Sequence, residues 1–189
     1  LDLCCGPGGY TLALAARNYK VFGFDINKEF IAFVKDSAVR SGQIQKDPDL
    51  MIGDMRVLPF CESFDLVYNV GTSFGFFDEA ANIGVLHEMA GAVKQGGTLV
   101  LECGNRDFYV RNLIEKHWAR HEDGDGVTLI KRHFDIRTSR MEVEHETFGT
   151  AEKQKWFVSW RAYTLTELIH LCESAGLSVE GIYNGWSMG

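Results

Sequence analysis

Asp2-Leu3-Cys4-Cys5-Gly6-Pro7-Gly8-Gly9 is the stretch that decides the fold of this chain. Leu1–Cys4 reads as a short buried strand and Cys5–Gly9 as a tight turn. Tyr10–Asn18 reads as a helix with Leu12, Ala13 and Ala16 on one side. A strand that enters a helix through glycines brings free backbone N–H groups and the positive end of the helix dipole to one place. An anionic ligand group is favoured there. A dinucleotide fold wants GxGxxG; Gly6 and Gly8 fit its first two positions, but Thr11 stands at the third. Taken alone, the turn also has a purely structural reading.

Working outward, Val21–Asp25 reads as a second strand. Asn27 caps a helix over Lys28–Arg40 whose apolar side carries Phe30, Ile31, Phe33 and Val34, and Gly42 stops it. Leu50–Ile52 is a brief strand and Phe64–Asn69 a longer one. A helix over Glu79–Lys94 is ended by Gly96-Gly97, and Thr98–Cys103 is the next strand. Strands and helices alternate through short Gly-containing connections, which predicts an α/β, Rossmann-like, doubly wound and mostly parallel sheet. The pattern then changes. Val127–Asp135, Ser139–Phe148 and Lys155–Ala162 read as successive antiparallel strands with turns near Thr138 and Gly149, an antiparallel β insertion after the fifth strand. Thr164, Thr166 and Glu167 mark a helix start; that helix runs to Ala175, stops at Gly176, and Leu177–Tyr183 reads as a final strand.

Two acids give the Gly-rich turn its meaning. Asp25 ends the second strand, where open α/β folds place a carboxylate on ribose hydroxyls; Asp54 follows the third. Each has a plainer reading, Asp25 as a helix cap and Asp54 as a turn residue. Together with the turn they fall at the carboxyl ends of three parallel strands, the edge along which ligands bind.

Composition narrows the function. The chain has 189 residues and a net charge of −7, and its basic residues are scattered among acids. A non-specific nucleic-acid binder needs a basic stripe, so a small-molecule acceptor is favoured over DNA. The five cysteines show no CxxC pairing and their number is odd, which argues for reduced thiols in a cytoplasmic protein and against a zinc site. No metal is expected: Glu122-Asp123-Gly124-Asp125-Gly126 lacks the order of a calcium loop. No apolar run is long enough to span a bilayer, so no membrane role is expected.

With these residues in view, the chain resembles the class I S-adenosylmethionine-dependent methyltransferase family. LDLCCGPGGYTLALA is similar to its first motif, VFGFDIN to its second strand with the ribose-binding acid, and IGDMRVLPF to the segment whose Asp meets the adenine amine. FDLVYNVGTSFGFF and VKQGGTLVLEC resemble the fourth and fifth strands, and WRAYTLTELIHLCESAGLSVEGIY the C-terminal helix and strand of small-molecule members. The resemblance implies one methyltransferase domain over 1–189, with 127–163 as a β-rich insertion on the substrate side and S-adenosyl-L-methionine as cofactor. It implies that Cys4, Gly6 and Gly8 lie against the methionine part of the cofactor and that Asp2 serves its amino group. It further implies Asp25 and Ile26 at the ribose, Asp54 and Met55 at the adenine, and Asn69 and Val70 near the reacting centre. Cys4 stands where the family usually has Gly. Residue 1 is not Met, and the family's seven-stranded sheet is longer than this chain; the expectation is a piece truncated at both ends, with a gap beside Leu99–Leu101 and no further strand in Gly185–Gly189.

Methyl transfer is an in-line displacement that rests largely on alignment, so no conspicuous triad is required. Candidates for a catalytic role are Tyr10, His145 and Tyr163. Candidates for the acceptor pocket are Thr72, Ser73, Phe74 and Phe76 after the fourth strand, and Trp160 and Arg161 in the insertion. For each, packing or surface roles are the plainer alternative. The segment Asn69-Val70-Gly71-Thr72 lacks the Asn-Pro-Pro-aromatic motif of amino-methylating DNA enzymes, and no Pro-Cys nucleophile is present. A non-catalytic scaffold built on the same fold and a dinucleotide-dependent oxidoreductase are the rival readings.

Overall fold

The structure is a computed structural model that describes residues 1–42, 44–121, 126–149 and 153–184. The first half comprises β1 (Asp2–Leu3), α1 (Gly9–Ala15), β2 (Phe22–Asp25), α2 (Lys28–Ser41), β3 (Asp49–Ile52), β4 (Phe64–Asn69), α3 (Glu79–Ala92) and β5 (Val93–Leu101). These strands form one parallel sheet in the order β3-β2-β1-β4-β5. The chain winds outward from β1 in one direction, then returns to β4 on its other side. The carboxyl ends of β1 and β4 therefore flank a topological switch point, where such sheets bind ligands. The core is laid down by Leu3, Phe24 and Val67 of the sheet against Val85, Leu86 and Met89 of α3.

Local chemistry explains the ends of α2. The Asn27 side chain accepts hydrogen bonds from the backbone N–H groups of Glu29 at 2.8 Å and Phe30 at 3.3 Å, and Gly42 closes the helix at φ 60°.

The second half contains α4 (Arg106–Asn112), β6 (Lys116–Arg120), β7 (Val127–Asp135), β8 (Arg140–Phe148), β9 (Lys155–Arg161) and α5 (Leu165–Ser174). The four strands form an antiparallel sheet in the order β6-β7-β8-β9. Its small core of Phe134, Met141, Val143 and Ala162 is covered by Tyr109 and Leu113, from α4 and the residue after it. Arg161 N donates to Gly75 O, which ties this sheet to the loop after β4, and Arg106 N donates to Tyr163 O, which ties the start of α4 to the segment after β9. Thr164 and Glu167 make a complete capping box on α5.

Several boundaries differ from the sequence reading. The first helix ends at Ala15, with Ala16 as its cap, because backbone bonds from Arg17, Asn18 and Tyr19 tighten into a turn. The third helix stops at Ala92, not Lys94. Gly96 and Gly97 do not end it; they lie in a bulge of β5, where Phe64 faces Val93 but Leu66 faces Thr98. A Cβ on Gly97 would come within 2.9 Å of Asp65 O, so the bulge needs its glycine. Leu177–Tyr183 is not a strand: it has no ladder partner among the described residues, and an extended segment without one leaves its backbone groups unpaired. The helix α4 and the strand β6 were not anticipated. Acids of the calcium-like turn, residues 122–125, and the terminal segment 185–189 lie outside the described residues. No helix among the described residues is long and apolar enough to cross a membrane, and no group of three or more His, Cys, Asp or Glu side chains gathers into a metal site.

Candidate cofactor site

The parallel registers bring the sequence candidates onto one rim. Leu3 pairs with Phe24, Asp25 with Ile52, and Asn69 with Leu101, so all five strands end close to the same level. Across the rim lie Asp54 after β3, Asp25 at the end of β2, Cys4–Gly8 after β1, Asn69 at the end of β4, and Glu102 after β5. Three strand spacings separate the Asp54 end from Asn69, about 14 Å. An extended adenosyl amino acid fits along such a row.

Asp25 joins the turn to the rim. One carboxylate oxygen accepts from Gly6 N at 2.8 Å and the other from Asn27 N at 2.8 Å. Each oxygen has a second lone pair left for a hydroxyl donor. Asp25 thus also steadies the entry to α2, so its capping role and its site position coincide. Gly6 has φ 53°, and a Cβ built there meets nothing within 4 Å; the backbone is bare toward open space. Gly8 is required for a different reason: φ is 84°, and a Cβ would sit 2.5 Å from a Val34 methyl group of α2.

Asp2 is buried under this turn and accepts a 2.5 Å hydrogen bond from Thr11 Oγ1. Burial pushes its carboxyl above the usual carboxylate range. Thr11, which departs from the dinucleotide pattern, is therefore the partner that holds the motif's acid in place.

Cys4 adopts φ 61°, the left-handed region, which explains the glycine usual in the resembling family. Its Sγ lies 3.3 Å from Met55 Sδ. Burial, and then the charge of Asp25, push its thiol up to about 12, and burial likewise pushes Cys5 up to about 12. Both thiols are held protonated, so neither is poised as a nucleophile.

Asn69 is buried at 1% exposure. Its amide donates to Leu3 O at 2.8 Å, and its Oδ1 is buried without a protein partner. Val70 follows at the tip. Ile26 is exposed at the β2 end. Asp54 is not bare: Arg56 donates to it from Nε and Nη2 and from its backbone N–H, and the carboxyl is held below the usual range. The same guanidinium lies 4.7 Å from the Phe77 ring centroid. Sequence reading did not single out Arg56 or Glu102; Glu102 accepts from Gly71 N at 2.9 Å and stands across the switch point from Asp25.

The candidates for catalysis and acceptor binding separate. Tyr10 is half-exposed at the start of α1, its ring edge-on to Tyr68. Thr72, at φ 64°, turns its hydroxyl onto Gly71 O at 2.7 Å; Ser73 follows it in the same loop, and Phe76 is exposed. Phe74 and Tyr163 are instead packed together in the core, with ring centroids 5.6 Å apart. The Tyr163 hydroxyl reaches Glu79 at 3.4 Å, and burial raises its pKa. Arg161 is neutralised by Glu79 at 3.3 Å and Glu167 at 2.8 Å. Trp160 packs on Tyr109, and a Cβ on Gly104, just beyond β5, would fall 3.0 Å from its indole nitrogen. His145 lies well along β8, stacked on Trp156, and its contacts do not include the rim.

Comparison with known proteins agrees with this geometry. Residues 1–97 match the family model described as a methyltransferase domain. The chain is 35% identical over 114 residues to the demethylmenaquinone methyltransferase of Bacillus licheniformis, covering 58% of this chain and 46% of that enzyme. It thus spans about half the length of that relative. It is 36% identical over 180 residues to the demethylmenaquinone methyltransferase of Bacillus cytotoxicus, covering 80% of this chain and 74% of that one. Its fold is shared with the solved structure of CalS10 with bound S-adenosylmethionine, an amino pentose methyltransferase from Micromonospora echinaspora, at a TM-score of 0.72 and 21% identity over 100% of this chain and 78% of that one. The Gly-rich turn clasped by Asp25, the parallel sheet with its switch point at β1 and β4, and these matches together show that the chain belongs to the class I S-adenosylmethionine-dependent methyltransferase family.

Proposed function

We propose that this chain transfers the methyl group of S-adenosylmethionine to a nitrogen, oxygen or carbon nucleophile of a small molecule. The observation that carries this reading is the Asp25 carboxylate bound to Gly6 N–H at the switch point, in line with Asp54 and Asn69 on one rim. The relatives' names, demethylmenaquinone methyltransferase and amino pentose methyltransferase, favour a small acceptor.

The cofactor supplies an activated methyl on a positive sulfur. The chain's own part is to bind and align. Asp25 offers its free lone pairs to the ribose hydroxyls, with Ile26 beside them. Asp54 takes the adenine amine once Arg56 yields one of its contacts, and Met55 backs the ring. Gly6 and Gly8 let the backbone lie against the methionine moiety, Asp2 supports the turn beneath it, and Asn69 Oδ1 offers a buried acceptor beside Val70. Cys4 narrows the same wall. Across the rim, Glu102, Thr72, Ser73 and Phe76 border the acceptor side, and the β-rich insertion is the proposed substrate-side element. Holding nucleophile and methyl in line is worth roughly 7–11 kcal/mol in favourable cases. Tyr10, at the start of α1, is the nearest candidate to steer a proton.

The test is calorimetric titration with S-adenosylmethionine and with NAD, followed by transfer of labelled methyl to a panel of amines, phenols and quinols. Saturable binding of S-adenosylmethionine with label in at least one product is expected. Binding of NAD in its place, or no binding of either at millimolar concentration, overturns the reading.

A further inference from the structure

The antiparallel sheet sorts its charges by face. Registers across β7 and β8 place Asp135, Glu142, Glu144 and Glu146 on one face. The other face, which carries Arg132, holds no Asp or Glu at any ladder position of the four strands. Part of that face is the sheet's apolar core, formed by Phe134, Met141 and Val143, while Arg132, His117 and His145 beside it are only partly buried. That face gathers donors instead. Arg132 Nη1 donates to His117 Nδ1 at 2.7 Å, which leaves that imidazole's proton on Nε2 as a further donor. His145, in the adjoining row, is stacked on Trp156 with centroids 4.6 Å apart and planes 5° from parallel. Among the described residues no carboxylate lies within ion-pair distance of Arg132. Glu115, whose carbonyl accepts from Arg132 N, is exposed and makes no ion pair with it.

Toward the cofactor rim the face closes, because Phe134 and Met141 are buried under Tyr109 and Leu113. Trp160 lies on the same face, one row beyond Arg132, and reaches Gly104 after β5; its indole nitrogen is buried without a partner. Along the strands, Trp160 and Trp156 are four residues apart, about 13 Å.

We propose that the partly open end of this face is an oxyanion subsite for the acceptor: Arg132, His117 and His145 hold a phosphate or carboxylate group against the Trp156 ring. A guanidinium flanked by imidazoles and walled by an indole, with no carboxylate paired to it among the described residues, recognises an oxyanion on a flat molecule. Calling the bound molecule an acceptor rests on the methyltransferase reading; the subsite itself does not.

The probes are 1-naphthyl phosphate, 1-naphthoate and neutral 1-naphthol, titrated against the full chain by calorimetry and tryptophan fluorescence. Both anions are expected to bind at least tenfold more tightly than 1-naphthol, and more weakly as salt rises. Tighter binding of the phosphate assigns a phosphorylated acceptor, and tighter binding of the carboxylate a carboxylic one. Arg132→Gln should weaken anion binding at least tenfold, with the affinity for S-adenosylmethionine unchanged. Lys131→Gln, on the acidic face, should leave anion binding within twofold. Equal binding of 1-naphthol, salt-independent binding by the unaltered chain, or full anion affinity in Arg132→Gln overturns the subsite. The salt series needs no variant, so a misfolded Arg132→Gln leaves the test intact. S-adenosylmethionine binding without anion binding refutes the subsite alone; the reverse refutes the methyltransferase reading alone.

Discussion

Replacing Asp25 with Ala removes two things at once, and the structure separates them. In the free chain the carboxylate accepts two 2.8 Å hydrogen bonds, from Gly6 N and Asn27 N. Hydrogen bonds to a charged group contribute about 1.5–3 kcal/mol each, and losing both on neighbouring loops is partly relieved by water. A net stability loss of about 2–4 kcal/mol follows, which for a domain of this size lowers Tm by roughly 5–15 °C. The second loss is in binding. The two remaining lone pairs are the ones assigned to the ribose hydroxyls, so the affinity for S-adenosylmethionine should fall by about 1.5–3 kcal/mol, roughly 10- to 150-fold in Kd. The assay is calorimetric titration at a temperature well below the variant's own Tm, so that unfolding does not pass for weak binding. Asp36→Ala is the control, since Asp36 is exposed and makes only a 3.7 Å surface pair with Arg40; both quantities should stay near wild type. A folded Asp25→Ala protein that binds the cofactor within twofold of wild type would falsify the ribose assignment. An unchanged Tm refutes the clasp on the Gly-rich turn.

Two further outcomes follow from local chemistry. At position 4, φ is 61°, so the usual preference of Ala over Gly should invert: by urea denaturation Cys4→Gly should be more stable than Cys4→Ala by about 1 kcal/mol, and the opposite order refutes the backbone argument. His145 has its pKa lowered from 6.5, by burial first and then by the charges of Arg132 and His117. The unfolded chain therefore takes up this proton at a higher pH than the folded one. Stability should decline as pH falls below about 6.5 and level off once the folded-state pKa is passed. His145→Gln should flatten that part of the urea-midpoint profile, and an unaltered slope removes His145 as its source.

Legibility in the sequence follows the range of the interactions concerned. The Gly-rich turn, Asn27 as cap, Gly42 as stop, the Thr164–Glu167 box and the alternating strands are each fixed within a few residues, where chain geometry and local hydrogen bonding leave little choice. The same locality hid α4 and β6. The signal for α4 is one Asn105 cap before seven residues, and β6 is five residues that alternate in exposure without an apolar run. The boundary at Ala92 was misplaced because glycines that look like a helix stop serve a bulge, and a bulge exists only against the partner strand.

The sequence by itself determined that an acid, a Gly-rich bend and two further acids stand at the ends of successive strands, since these spacings follow from the chain's own periodicity. Only the tertiary structure decided which of them meet. It set Asp25 on Gly6, sealed Thr11 over Asp2, paired Asp54 with Arg56, and took Tyr163 and Phe74 into the core. It also put Arg132, His117 and His145 on one face of the antiparallel sheet. Those outcomes depend on register and crossover between segments far apart in the chain, and a one-residue slip in a strand would send each side chain to the opposite face.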